Sequence, residues 1–95
     1  MYLGFLPVKK GRKRLIKSFI DEKHTIVFYE SVHRIEKTLI ELSEALNEQP
    51  DRKIVIAREL TKLHEEVIET TAEELPTVAT EITKKGEFVV VISAQ

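Results

Sequence analysis

Two short polar segments each follow an apolar run, and their side chains are suited to ligand binding. Glu30 to Arg34 follows the run that ends at Tyr29, and Arg58 to Lys62 follows Ile54 to Ala57. The second segment contains none of the Gly, Asn, Asp or Pro residues that favour turns. Open α/β sheets place their ligand sites where strands end, so both segments are candidates for such a site.

The elements that position these segments follow from the spacing of apolar residues. Leu39, Leu42 and Leu46 continue a repeat of three and four residues that predicts a helix after Ser31, and Ser31 is a candidate N-cap. Other patterns predict a helix at 12–23, a third helix after Thr71, and strands at 25–29, 54–57, 65–70 and 88–92. Pro76 leaves two options for the third helix, a kink or a later start.

The predicted order α-β-α-β-β-α-β indicates an α/β (α+β-like) fold, with a mixed four-stranded sheet and three flanking helices. A long helix joins the first two strands, so they should be parallel, and the short link between strands two and three makes that pair antiparallel. Both polar segments would then emerge at one edge of the sheet. The competing interpretation is a purely structural ion network, with Glu30 paired to Arg34 or Arg58.

Other reactive residues do not form a recognisable site. Ser31 and His33 are too close in sequence to act as a nucleophile and its base. His64, Glu65 and Glu66 alternate between faces of a predicted strand, which disfavours a shared metal ion. The chain has no cysteine, so thiolate metal sites and disulfides are excluded, and no glycine-rich phosphate loop is present. We therefore expect no metal.

Composition indicates one small globular domain without a membrane segment. The 95 residues are 42% hydrophobic and 33% charged, and no apolar run approaches the roughly 18 residues of a spanning helix. A cytoplasmic location is the default expectation.

Residues 1–23 carry seven basic and two acidic groups, although the whole chain has a net charge of −1. A basic cluster of this kind attracts polyanions or simply forms a solvated surface.

Four blocks of residues together resemble one family, the ribosomal RNA small subunit methyltransferase I branch of the tetrapyrrole (corrin/porphyrin) methylase superfamily. Their order along the chain matches that family, although Val32 stands where the family usually has proline. The blocks are Gly4-Phe5-Leu6-Pro7-x-Lys9, Phe28-Tyr29-Glu30-Ser31-x-His33-Arg34, Ala57-Arg58-Glu59-Leu60-Thr61-Lys62-x-His64-Glu65-Glu66, and Gly86-Glu87-Phe88-Val89-Val90-Val91.

The resemblance implies the C-terminal domain of a two-domain enzyme that binds S-adenosylmethionine between its domains. Residues 1–8 would be the inter-domain junction and residues 9–95 the domain itself, with the N-terminal methylase domain as the missing partner. The implied reaction is 2′-O-methylation of a cytidine ribose in small-subunit ribosomal RNA, and the implied assembly is a homodimer. The third block favours RNA over a tetrapyrrole substrate, and a stand-alone RNA-binding module is a further alternative.

The resemblance also assigns roles to individual residues. Tyr29, Glu30, Ala57 and Arg58 would border the cofactor, and Glu30 or Glu59 is the candidate general base. Contacts to the phosphate backbone of the RNA would come from side chains that carry a positive charge or an imidazole ring. These are Lys9, Lys10, Arg12, Lys13, Arg14, Arg34, Lys62 and His64.

Overall fold

The computed structural model describes residues 1–61 and 64–95, and the side chains of 1–59 and 65–95. Two short 3-10 turns accompany eight helices and strands in this part of the chain. In order, the elements are β1 (Tyr2–Phe5), α1 (Arg12–Ser18), a turn at Phe19–Asp21, β2 (Ile26–Glu30), α2 (Ile35–Ala45), β3 (Lys53–Thr61), β4 (His64–Thr71), a turn at Ala72–Glu74, α3 (Leu75–Glu81) and β5 (Glu87–Ile92).

The sheet has five strands in the order β1-β2-β5-β3-β4, so the predicted count of four is wrong. The additional strand is β1, which pairs in parallel with β2 and places Tyr2 opposite Val27. Its four residues are too few to show a periodic pattern, which is why the sequence did not reveal it. The inter-domain junction expected at residues 1–8 stays a prediction, but residues 2–5 belong to this sheet.

Strand β5 lies between β2 and β3, so these two strands are not the neighbours that the sequence predicted. Both are antiparallel to β5 and therefore run in the same direction. The predicted antiparallel pairing of β3 with β4 is confirmed. The carboxyl ends of β2 and β3 consequently meet at one edge of the sheet, with the first residues of β5 between them.

One core holds the sheet and the three helices together. Buried residues alternate along the strands, as at Ile26 and Phe28 in β2 and at Ile54 and Ile56 in β3, and they pack with the buried stripe of α2 that includes Leu39. Because α1, α2 and α3 all contribute to this same core, they lie against one face of the sheet. The three flanking helices predicted from the sequence are therefore present, and they cover a single face of the sheet.

Two helix ends differ from the sequence prediction, and the start of the third helix resolves a choice that the sequence left open. Helix α1 ends at Ser18, and a 3-10 turn replaces its predicted continuation. Helix α2 begins at Ile35 rather than directly after Ser31, and the Ser31 backbone carbonyl, not its side chain, accepts hydrogen bonds from the N–H groups of Arg34 and Ile35. Helix α3 takes the later start, with Pro76 in its first turn. None of the helices in the described part of the chain has the length and apolarity to cross a bilayer.

Candidate functional site

A cavity of about 420 Å³ lies at the edge of the sheet where β2 and β3 end and β5 begins. The four residues expected to border a cofactor, Tyr29, Glu30, Ala57 and Arg58, all line it. The convergence of the two polar segments predicted from the strand directions is therefore confirmed. The adjacent first residues of β5 also line the cavity, because β5 separates the two segments.

Tyr29 forms the aromatic side of the cavity. Its ring packs edge-on against Tyr2, with ring centroids 5.7 Å apart, and is tilted against Phe5 at 5.6 Å. The two β1 rings are more than 60% exposed, whereas Tyr29 is 39% exposed. Such pairs stabilise by about 0.5–1.5 kcal/mol each beyond area burial. Strand β1 thus fixes the orientation of the tyrosine that the sequence placed at the site.

Glu30 belongs to a buried polar network that positions the corner after β2. One carboxylate oxygen accepts a hydrogen bond from the Ser31 backbone N–H at 2.9 Å, and the other accepts from the Thr38 hydroxyl at 2.6 Å. The Arg12 guanidinium lies 3.9 Å from the same carboxylate. A structural ion network does exist here, as the competing interpretation required, but its cation is Arg12 rather than Arg34 or Arg58.

Arg12 is buried, so it is separated from the exposed basic residues with which it was grouped. Its guanidinium donates to the Pro7 carbonyl at 2.9 Å, to the Thr38 hydroxyl at 2.7 Å and to the Glu41 carboxylate at 2.8 Å. Only 5% of the residue is exposed. The expectation that Arg12 contacts RNA from the surface is therefore wrong, because its donors are turned inward to connect α1, α2 and β2.

Arg58 is buried at the cavity and is only partly paired. One terminal nitrogen, Nη2, donates to the Glu66 carboxylate, while Nε and Nη1 have no hydrogen-bond acceptor within the described residues. Only 4% of Arg58 is exposed. Buried donors without a partner are costly, so an acceptor that reached this guanidinium would stabilise it.

Glu59 is exposed at the cavity, whereas Glu30 is buried and accepts hydrogen bonds through both oxygens. The two candidate bases thus differ in their freedom to meet a substrate hydroxyl. Sequence reasoning missed five other lining residues. Those of β1 and β5 were missed because the places of these two strands in the sheet were not foreseen. The five are Phe5, Glu65, Glu87, Phe88 and Val89.

The basic segment after β1 forms a separate surface. Lys9, Lys10, Lys13 and Arg14 are exposed. A groove of about 200 Å³ is bordered by Lys9 and by Arg34 from the turn before α2. The structure therefore brings Arg34 towards the basic segment. Of the other predicted contacts, Lys62 lies outside the described residues, and so does the side chain of His64, whose backbone belongs to β4.

Comparison with known proteins tests the resemblance inferred from these motifs. The family model described as Tetrapyrrole (Corrin/Porphyrin) Methylases matches residues 3–76, more than half of the chain. The chain belongs to the tetrapyrrole methylase family. This membership confirms the family predicted from the sequence. The matched region includes β1 through the start of α3 and contains both polar segments of the cavity.

Relatives of this tetrapyrrole methylase chain carry the name ribosomal RNA small subunit methyltransferase I. The relative from Coprothermobacter proteolyticus is 45% identical over 92 residues, which cover 96% of this chain and 39% of the relative. The relative from Thermotoga maritima is 39% identical and covers all of this chain and 41% of the relative. The relative from Bacillus subtilis is 39% identical, and the alignment covers 96% of this chain and 30% of the relative. The chain thus spans about a third of the length of the curated relatives it matches.

A solved structure supports the same fold. The X-ray structure of cobalt precorrin-4 methyltransferase, a cobalamin biosynthetic enzyme, superposes with a TM-score of 0.67 over 98% of this chain and 40% of that chain. The sequences are 17% identical, so this similarity concerns the tetrapyrrole methylase fold alone. The predicted fold class is confirmed.

Proposed function

We propose that this chain is the C-terminal domain of an S-adenosylmethionine-dependent methyltransferase that modifies small-subunit ribosomal RNA. The observation that supports it most directly is the cavity where the two motif segments of the family converge. The names of the relatives supply the substrate class. The finer proposal is 2′-O-methylation of a cytidine ribose.

Four residues of this chain would hold the cofactor against one wall of its pocket. Tyr29 and Ala57 offer an aromatic and a small apolar surface, while Arg58 adds a buried guanidinium whose Nε and Nη1 have no acceptor among the described residues. Glu30 would act mainly through the backbone, because its carboxylate fixes the Ser31 amide. When bound, S-adenosylmethionine supplies a methyl group on a positively charged sulfur. A second domain would close the other wall, and this chain alone would bind the cofactor weakly.

Glu59 is the better candidate for the general base. A base must come within hydrogen-bond reach of the hydroxyl proton that it removes. Glu59 is exposed at the cavity, whereas the two oxygens of Glu30 already accept hydrogen bonds inside the protein. Glu59 would take the proton of the ribose 2′-hydroxyl, so that the oxygen can attack the methyl carbon. Alignment of the hydroxyl and the cofactor would supply a further part of the acceleration.

The exposed cations after β1 would contact the phosphates of the RNA. Such contacts position a nucleic acid without reading its sequence, and they weaken as salt is raised. Lys9, Lys10, Lys13 and Arg14 are exposed, and Arg34 borders the same groove as Lys9. Arg12 is left out of this set because its guanidinium is used internally.

The experiment is a chimera in which this chain replaces the matching 92-residue region of the Coprothermobacter proteolyticus relative. The purified chimera is incubated with labelled S-adenosylmethionine and unmodified small ribosomal subunits, and nucleosides are analysed by mass spectrometry. We expect 2′-O-methylcytidine. Glu59→Gln should lower the rate by roughly 100-fold. Glu69→Gln, an exposed glutamate of β4 that does not line the cavity, is the matched control.

Different results would refute different parts of the proposal. A folded chimera that binds the cofactor but transfers no methyl group to the subunit would refute the RNA substrate. Methylation at a base rather than a ribose would refute the finer assignment. A stand-alone RNA-binding role would instead give salt-sensitive RNA affinity to the chain by itself. That affinity would disappear when Lys9, Lys10, Lys13 and Arg14 are neutralised.

A further inference from the structure

The face of the sheet away from the helices carries a cluster of aromatic rings at its β1 edge, which we call the aromatic platform. It consists of Tyr2 and Phe5 of β1 and Tyr29 of β2. Tyr2 is 63% exposed and Phe5 is 64% exposed, and these are the largest exposed fractions among the large hydrophobic side chains of the described residues. Contiguous exposed apolar surface marks an interaction site more often than single scattered residues do.

A bulge in β1 turns both of its rings to this face. Residues three positions apart in a regular strand point to opposite faces of the sheet. In β1, however, Tyr2 lies opposite Val27 and Phe5 lies opposite Tyr29, so three steps along β1 match two steps along β2. Gly4 lies inside this irregularity with a φ of 64°, a conformation that glycine adopts readily and other residues rarely do. The backbone therefore places both β1 rings around Tyr29, in the way that bulges redirect side chains next to functional sites.

The three rings support one another without covering their flat surfaces. Tyr29 meets Tyr2 at an interplanar angle of 79° and meets Phe5 at 54°. Neither contact is a parallel stack, so the faces of the rings are not used up on one another. These contacts orient the two exposed rings before any ligand arrives. Flat, exposed and oriented rings suit a planar ligand.

The charge next to the platform indicates which planar ligand fits. The chain passes from Phe5 to Lys9 in four residues and from Tyr29 to Arg34 in five. Lys9 and Arg34 border the same groove of about 200 Å³, whose lining among the described residues is cationic and apolar without an acidic side chain. Aromatic rings beside a cationic groove form a binding surface for single-stranded nucleic acid, because the phosphates occupy the groove and the bases stack on the rings.

We propose that the aromatic platform stacks unpaired bases of the RNA substrate beside the cavity. This inference rests on the proposed function, which makes RNA the substrate. Tyr2 and Phe5 offer the stacking surfaces, and Tyr29 holds them in place. Because Phe5 and Tyr29 also line the cavity, a nucleotide stacked here lies next to the place where methyl transfer is proposed. The platform requires unpaired nucleotides, since the faces of paired bases are covered by their neighbours in the helix.

The tyrosines of the platform make its occupancy directly measurable. Tyr2 and Tyr29 are the only tyrosines of the chain, which has no tryptophan, so the intrinsic fluorescence reports on the platform alone. The chain is titrated at low salt with a short single-stranded RNA, with an RNA of the same length that lacks its bases, and with a duplex RNA. We expect only the single-stranded RNA with bases to quench the fluorescence. It should bind roughly 5- to 150-fold more tightly than the RNA without bases.

Phe5 is tested by substitution, with affinities taken from the anisotropy of labelled RNA. Phe5→Ala should weaken single-stranded RNA by roughly 5- to 150-fold and leave the RNA without bases unchanged, whereas Phe5→Trp should keep the affinity. The factor should be the same at every salt concentration, because the contact neutralises no phosphate. Val67→Ala is the matched control, since Val67 is 59% exposed on the same face but belongs to β4 at the opposite edge of the sheet. An equal loss in Val67→Ala would overturn the platform.

The failures of the two proposals are distinguishable. Equal affinities of the wild-type chain for RNA with and without bases would overturn the platform, and this comparison decides even if Phe5→Ala does not fold. Unchanged tyrosine fluorescence on binding single-stranded RNA would also overturn it. Either result leaves the phosphate contacts and the proposed function standing. A folded chimera that transfers no methyl group to the subunit, although the chain stacks RNA bases, would overturn the proposed function and leave the platform standing.

A protein partner on the rings is the competing outcome, and the same chimera tests it. Hydroxyl radicals should oxidise Phe5 readily in the chimera, and the oxidation, measured by mass spectrometry, should fall when unmodified small ribosomal subunits are added. Protection of Phe5 before any RNA is added would show that protein covers the platform and would overturn the inference. A dimer of the free chain that dissociates in Phe5→Ala would overturn it as well.

Discussion

The network around Arg12 yields a quantitative prediction about stability. Replacing Arg12 by Met removes a buried cation and its hydrogen bonds to Pro7, Thr38 and Glu41. It leaves the Glu30 carboxylate, which is 3% exposed, without an ion-pair partner among the described residues. Breaking a buried ion pair by removing one partner costs about 3–5 kcal/mol.

The distance in the structure supports this magnitude. Arg12 and Glu30 are separated by 3.9 Å, and two unit charges at that distance attract by about 4 kcal/mol at an effective dielectric of about 20. For a domain of this size each kcal/mol corresponds to about 4–8 °C in Tm, so Arg12→Met should lower Tm by at least roughly 12 °C. The loss should appear as a lower midpoint in urea with an unchanged m value.

A double-mutant cycle separates the charge interaction from the loss of packing. Glu30→Gln keeps the shape of the side chain and removes its charge, so in combination with Arg12→Met it should cost about 1–3 kcal/mol less than the two single losses added together. Lys13→Met is the matched control, since this neighbour is exposed and should change stability by no more than about 0.5 kcal/mol. Additive effects, or a loss below about 1 kcal/mol for Arg12→Met, would refute the reasoning.

Three further predictions concern the rest of the fold. Arg52 donates to the carbonyls of Phe19 and Ser93 at 2.6 and 2.9 Å, so Arg52→Met should cost about 3 kcal/mol in urea unfolding and speed hydrogen exchange near the C-terminus. Phe28 is fully buried, and Phe28→Ala should cost about 3–5 kcal/mol in the same assay. The pKa of Glu22 is lowered, chiefly by the His24 backbone N–H, so its contribution to stability should be lost as pH falls below 4.5 and should be absent in Glu22→Gln.

Each of these predictions has its own control and its own contradicting result. Lys53→Met, at an exposed neighbour of Arg52, should leave exchange near the C-terminus unchanged, and equal exchange in both variants would refute the anchoring role. A Phe28→Ala loss below about 1 kcal/mol would mean that the core collapses into the space. Glu48→Gln is the control for Glu22, and identical pH profiles of the two variants would contradict the stabilising hydrogen bond.

The residue pattern was sufficient for the elements whose packing is local. The spacing of apolar residues in α2 and the apolar runs in β2, β3 and β5 predicted these elements correctly. Each pattern reflects which face of the element is buried, and it can be read within that segment alone. The blocks around Tyr29 and Arg58 also indicated the family and the edge at which the site lies. The directions of the strands were enough to predict that edge, because two strands of one sheet that are joined through a helix run in the same direction.

Tertiary packing decided the features that depend on pairing between distant segments. Strand β5 inserts between β2 and β3, and this brings Glu87 beside Glu59 at the cavity. Arg12 has the same residue type as Arg14 nearby, yet one is buried in an ion network and the other is exposed. The spacing of charged residues along the sequence does not predict which partner each will contact, because that partner can lie far away along the chain. The location of the site was therefore readable from the residue pattern, while its charge arrangement required the assembled sheet.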